Sequence, residues 1–283
     1  MSLRAVDHVG HQTEPHWDVV DPEAARGYAL ATNNGRSAAP GGLAPPMFAV
    51  VIGRQVGTEL LSTVLPGDAL AGMIHVGQDM HFRRQLRLGE RVRTSGEVHS
   101  VRSAPGGAMV CTRLTTAGED GADIVEMYST ILVRGLAAGS AAGPTAPDHR
   151  LSRERRGAAP ASLRVDIDGD QTGRYAEASG DHNPIHLDEE FARAVGMQGV
   201  ILHGLCSLAM CADAIVESFA AGDASRLRRV ATRFLRPVYP GSSLSVATFG
   251  PGSEDGKASL GFSVRLQDRV VMTDGLVEIA AAG

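Results

Sequence analysis

Asp181, Asn183 and His186 stand close together in the run Gly180-Asp181-His182-Asn183-Pro184-Ile185-His186. An Asp and a His held near each other can bind one water and share its proton, and burial can bring their pKa values towards neutrality. A second feature follows at His203-Gly204, just before a helical apolar stripe. The first N–H groups of a helix have no intrahelical partners, and the positive end of its dipole points the same way. A carbonyl oxygen docked there would be polarised as its charge grows. Gly204 has no Cβ and so admits a ligand close to the backbone. Taken singly, each residue has a plainer account. Asp181 would cap the next turn, His186 would be a satisfied core histidine, and Gly204 an ordinary glycine at a helix start.

The flanking sequence dictates how these residues must be held. A short helix is expected to start near Gln171 and end at Gly180 as a C′ glycine. Pro184 lacks an N–H and restricts Asn183 to extended conformations, so that helix cannot continue through the loop. Asp188 is a suitable N-cap for another short helix, with Glu189 and Glu190 favourable in its first turn. Further on, Leu205, Leu208, Ala209, Ala212, Ile215, Val216 and Phe219 mark one face of a helix of about four turns. That stripe needs a sheet face to bury it, which makes the arrangement α+β.

The chain contains this pattern twice. Phe82-Arg83-Arg84-Gln85-Leu86-Arg87-Leu88-Gly89 and Phe234-Leu235-Arg236-Pro237-Val238-Tyr239-Pro240-Gly241 hold Phe, Arg, an aliphatic residue and Gly at one spacing. Each leads into three strand-like runs with period-2 alternation. These are Arg91–Val101, Ala108–Thr116 and Asp123–Val133 in the first half, and Ser243–Phe249, Lys257–Leu266 and Val270–Ile279 in the second. The clusters Gly118–Gly121 and Gly252–Gly256 mark hairpin turns. Between the halves, the Ala-, Gly-, Pro- and Arg-rich stretch Gly135–Ser162 lacks apolar periodicity and is expected to be a flexible linker. The expected division is a first unit over residues 1–134, a linker over 135–162 and a second unit over 163–283.

Composition removes several function classes. Of 283 residues, 43% are hydrophobic and 21% charged, a globular mix with no apolar run long enough to span a bilayer. A net charge of -5 without a basic block argues against nucleic-acid binding, and an aromatic content of 4% argues against stacking platforms for single strands. The N-terminus lacks an apolar signal region. Cys111, Cys206 and Cys211 lie among apolar neighbours and suit no disulfide framework. A cytoplasmic location is expected, with no membrane and no nucleic-acid partner.

The Gly180–His186 run resembles the hydratase 2 motif of MaoC-like (R)-specific enoyl-CoA hydratases, whose core is Gly-Asp-x-Asn-Pro-[aliphatic]-His. The likeness is specific over Asp170–Gly241, through Ile201-Leu202-His203-Gly204-Leu205-Cys206 and Arg233–Gly241, and weaker over the first half. It is similar to the two-repeat type found in peroxisomal multifunctional enzymes. The resemblance implies a double hotdog: two antiparallel sheets, each wrapped around a helix, in one chain. It implies Asp181 and His186 as the acid/base pair, Asn183 as an orienting partner and the Gly204 N–H as donor to the thioester carbonyl. An acyl-CoA or carrier-protein-bound acyl group would be the substrate, no metal or redox cofactor is implied, and a homodimer is expected. His203, Arg233 and Arg236 are expected on the substrate-binding side. Arg226, Arg228, Arg229, Arg233 and Arg236 could each meet phosphates of CoA or a carrier arm, a solvated or strand-paired role being the alternative.

Two departures from the pattern matter. Ala178 stands where the motif prefers a bulkier aliphatic residue. Laid without gaps, Tyr28–Asn34 matches Tyr175–Asp181, which sets Asn34 opposite Asp181 and Ala39 opposite His186. An amide and a methyl cannot exchange protons, so the first half is expected to be catalytically silent. Its run Ala38–Pro46 is expected to be irregular chain, which in this family leaves room for a bulky acyl tail. Four other readings compete. They are a metal site on Asp181, His182 and His186, a hotdog thioesterase, a nucleophilic Cys206 beside His203, and a non-catalytic acyl-binding module.

Overall fold

The computed structural model describes residues 5–34, 42–65, 73–136, 138–150, 161–254 and 257–281. Their ten strands are β1 (His16–Val19), β2 (Met73–Phe82), β3 (Arg91–Ala104), β4 (Gly107–Gly118), β5 (Asp123–Arg134), β6 (Ala161–Asp166), β7 (Leu227–Phe234), β8 (Ser243–Glu254), β9 (Lys257–Leu266) and β10 (Arg269–Ala280). All join one antiparallel sheet in the order β1-β3-β4-β5-β2-β7-β10-β9-β8-β6. Taken from either edge, the order is the same: short edge strand, three-strand meander, then the strand that follows the first half's helix or the second's. The two halves meet at β2 and β7, where Gly77 pairs with Arg233 and Met80 with Val230. This is a double hotdog of α+β class.

The alternating runs become strands because their inward residues are apolar. Along β9, Leu260, Phe262 and Val264 are buried, as the period of two requires. The helix α6 (Gly204–Ala220) lies inside the second half of the sheet, with Leu208, Ala209, Ala212, Ile215 and Val216 buried. Burying each larger side chain stabilises by roughly 1.5–3 kcal/mol. Phe219, the last residue of the expected stripe, departs from it at 38% exposure. The first half has its own central helix, in two segments: α2 (Ala49–Ile52) and α3 (Arg54–Val64). Ile52, Val56, Leu60 and Val64 are buried at a spacing of four, a stripe the sequence reading did not place.

Three boundaries differ from expectation. The strand β6 begins at Ala161, so the last residues of the expected linker already pair with β8, Ala161 opposite Thr248. Gly252 lies inside β8, opposite Ser259, and not in a turn; residues 255 and 256 lie outside the described set. The linker's longest described stretch, 138–150, is fastened to the sheet. Arg102 donates to the carbonyls of Ala142, Gly143 and Pro144, and His149 Nδ1–H donates to the Asp274 carbonyl at 2.7 Å. The expected irregular run holds for its described residues up to Pro45, after which a 3-10 turn, Pro46–Phe48, leads into α2. Ala39 lies outside the described residues. Among the described residues, no helix is long and apolar enough to cross a membrane.

Candidate active site

The loop bearing Asp181 is held from both ends as the local sequence demands. The helix α4 (Gln171–Ser179) ends at Gly180, whose φ of 72° is left-handed. An L side chain there costs roughly 1–2 kcal/mol. Gly180→Ala is therefore expected to lower stability by about 1 kcal/mol, readable as a fall in Tm. Beyond it, Asp181 Oδ1 accepts from Asn183 N–H at 3.2 Å, and Asn183 Oδ1 accepts from Ile185 N–H at 3.2 Å. Asn183 thereby caps the 3-10 turn Pro184–His186. Asp188 caps α5 (Glu189–Ala194), accepting from Phe191 N–H at 2.9 Å.

The structure brings a fourth residue to this loop. The rings of His186 and His203 stack with centroids 3.7 Å apart and planes 25° from parallel. Ligand atoms of Asp181, His186 and His203 all lie within 4.8 Å of one another, room for a single small species between them. His203 is the N-cap residue of α6 and Gly204 its first residue, so the cluster sits at the helix's unpaired N–H groups and positive dipole end. A Cβ at position 204 would come within 3.2 Å of the Phe234 ring.

Hydrogen bonds set which ring nitrogens carry protons. His186 Nδ1 lies 2.8 Å from the Ile201 carbonyl, and a carbonyl only accepts, so Nδ1 carries the hydrogen and Nε2 keeps its lone pair. His203 Nε2 donates to the Asp181 carbonyl at 2.9 Å, and its Nδ1 is buried with no hydrogen-bond partner. Burial lowers the pKa of His186. Burial, followed by the charge of the neighbouring His186, pushes His203 down to about 4. Two stacked imidazoles cannot readily both be charged, and at neutral pH both are bases.

Other sequence candidates lie elsewhere. His182 is exposed and pairs with Glu177 at 3.1 Å, so it is not among the converging donors. Any cation here would be met by Asp181, His186 and His203 instead. Arg233 projects from the face of β7 opposite Phe234 and reaches Asp274 at 3.7 Å. Arg236 donates to the Val270 carbonyl at 2.7 Å. Neither contact lies within the cluster; both are to β10. Arg229 is bound across the seam to buried Asp79 through two bonds of 2.9 and 2.7 Å. Cys206 is fully buried, and burial raises its thiol pKa far above the usual range, which removes the thiolate a nucleophile needs.

The first half repeats the scaffold of the second with other residues on it. The helix α1 (Pro22–Ala31) packs on α4, and Tyr28 meets Tyr175 with ring centroids 5.6 Å apart. Asn33 has a φ of 54°, left-handed like Gly180, its partner in the gapless alignment. Asn34, opposite Asp181, donates to Asp213 at 3.0 Å.

The chain is similar to known proteins over most of its length. Residues 152–269 match a MaoC-like domain, and residues 7–127 match a FAS1-like dehydratase domain region. The 3-hydroxyacyl-thioester dehydratase Y of Mycobacterium tuberculosis is 31% identical over 222 residues, covering 75% of this chain and 74% of that protein. The peroxisomal multifunctional enzyme type 2 of Drosophila melanogaster is 31% identical over 214 residues, 74% of this chain but only 36% of that longer protein. A MaoC-like dehydratase from Phytophthora capsici has the same fold, with a TM-score of 0.84 at 21% identity over 98% of each chain. The chain belongs to the MaoC-like family of hydratases and dehydratases.

Proposed function

We propose that Asp181 and His186 add water in syn fashion across the double bond of a trans-2-enoyl-CoA, giving the (R)-3-hydroxyacyl-CoA, and catalyse the reverse dehydration. The observation that carries this is the convergence of Asp181, His186 and His203 within 4.8 Å at the start of α6. A water between the Asp181 carboxylate and His186 Nε2 loses a proton as its oxygen bonds to C3. The pair, acting as a unit, returns a proton to C2 on the same face. Asn183 holds the loop that aims both groups, and His203 forms the buried wall behind them. The thioester oxygen, whose charge grows as the enolate develops, accepts from Gly204 N–H. The reaction moves one water and no electrons, so it needs no redox cofactor, and in this reading the Asp181–His186 pair does the proton work without a metal.

The first repeat shapes the acyl pocket in this reading. Support comes from a cavity of about 900 Å³ lined by Pro22, Asn34 and Pro45 of that repeat and by Met210, Asp213 and Ala214 of α6; Asp181, His186 and Gly204 do not line it, so it would take the acyl tail and not the reacting carbons. A homodimer in the cytoplasm completes the proposal, and carrier-protein-bound acyl groups are the second substrate class. Three free, buried cysteines fit a reducing compartment.

The test is loss of enoyl absorbance from crotonyl-CoA, followed by a series of longer and bulkier enoyl-CoAs and analysis of product chirality. Loss of absorbance with an (R) product is expected. Release of free CoA thiol without hydration would establish the thioesterase reading in its place.

A further inference from the structure

A residue of the silent repeat faces the catalytic cluster. Along β2, Gly77, Asp79 and His81 share one face of the sheet, opposite Thr130, Tyr128 and Glu126 of β5. Strict alternation would put the residue at 75 on that same outward face. It does not lie there, because the pairing with β5 slips between His75 and Gly77, leaving Val76 as an extra residue. His75 instead lies opposite Ile131, a buried inward residue. Re-aiming a side chain is a common use of a β-bulge beside an active site. The His75 ring spans its own bulge, Nε2–H donating to the Gly77 carbonyl at 3.0 Å.

Turned inward, the ring meets the second repeat. It contacts Phe234 edge-on at a centroid distance of 5.2 Å. Phe234 in turn lies against Gly204, where a Cβ would approach its ring to 3.2 Å. His75 is also close enough to Asp181 for the two to interact electrostatically. The contacts therefore run from β2 of the first repeat, through Phe234, to the backbone that would hold the thioester oxygen.

We propose that His75 is a positioning residue of the second repeat's site: its ring backs Phe234, and Phe234 fixes the wall beside Gly204 on which the substrate carbonyl is seated. The proposal rests on the hydratase reading. It makes the first repeat part of the active site as well as of the acyl pocket, so neither half would be competent alone.

The test is steady-state hydration of crotonyl-CoA by the full chain, with His75→Ala, Phe234→Ala, the double variant and His75→Phe. His75→Ala is expected to lower kcat about tenfold or more, since small misplacements at a reacting centre are costly, with KM changed far less. The double variant should be no worse than Phe234→Ala alone, because both changes remove one contact. His75→Phe, which restores an aromatic edge against Phe234, should recover most of kcat. Should His75→Ala not fold, as judged by circular dichroism, His75→Leu fills the volume without an aromatic edge and takes its place. Wild-type kcat in His75→Ala, or in His75→Leu where it takes that place, additive losses in the double variant, or no rescue by Phe would each overturn the proposal while leaving the hydratase reading intact. A wild-type chain inactive on every enoyl-CoA would overturn both.

Discussion

Asp181→Asn and His186→Ala are each expected to lower kcat for enoyl-CoA hydration by about 10²–10⁴-fold, the usual contribution of positioned acid–base groups. The double variant should lose little more than either single one, because the two groups act on one water. Asp181→Asn is the cleaner change. Its amide oxygen can still accept from Asn183 N–H, the bond that Asp181 Oδ1 now receives at 3.2 Å, so the loop keeps its shape and only the charge and basicity are lost. His186→Ala also removes the 2.8 Å bond to Ile201 and the stack on His203, so circular dichroism and Tm must accompany its kinetics. One contrast sharpens the result. Cys206→Ser should leave turnover near wild type, since the buried thiol has no part in the reaction. Near-normal turnover in Asp181→Asn or His186→Ala would remove the acid–base assignment.

The parts of this site legible in the sequence are those fixed by local chemistry. Gly180 ends α4 in a left-handed conformation, Pro184 breaks the chain's helical course, and Asp188 caps α5; each follows from its neighbours alone. The six long alternating runs became strands, all but β8 with nearly the expected bounds, because alternation reports burial directly. What escaped depends on pairing between distant segments. The stack of His186 on His203 forms only when α6 docks beside the loop, and neither residue's neighbours encode it. The bulge that turns His75 inward arises from the register of β2 against β5. A glycine within a strand, here Gly77, was its one sequence signal. The first repeat's helix carried its stripe at Ile52, Val56, Leu60 and Val64, but Gly53 divides it in two and obscures its period. Arg233 and Arg236, expected on the substrate-binding side, have their contacts on β10, at Asp274 and the Val270 carbonyl, a pairing between strands that their own neighbours do not encode.

Between pH 6.5 and 4 the folded chain is expected to lose stability, and His203 is the principal cause. Its folded pKa is about 4, against about 6.5 for an unfolded histidine. Above pH 6.5 the ring is neutral in both states and contributes no pH dependence. As pH falls through 6.5 the unfolded chain takes up the proton and the folded chain does not, so unfolding is favoured progressively until the folded ring also titrates near 4. The full difference is roughly 3 kcal/mol, a large share of a typical domain's stability. His186 and His75, both lowered by burial, act in the same direction. Asp79, whose carboxyl is held down by His81 and Arg229 despite its burial, adds its loss only below the ordinary carboxylate range, outside this window. His203→Gln keeps a donor for the Asp181 carbonyl and removes the titration. Its Tm should therefore fall less than that of the wild type between pH 7 and pH 4.5; equal slopes would show that the histidine stack is not the source. The stability cost and the chemistry share one origin. Burial lowers the pKa of His186 as it lowers that of His203, so the burial that makes the stacked pair acid-sensitive also leaves His186 Nε2 unprotonated at neutral pH, free to take a proton from water.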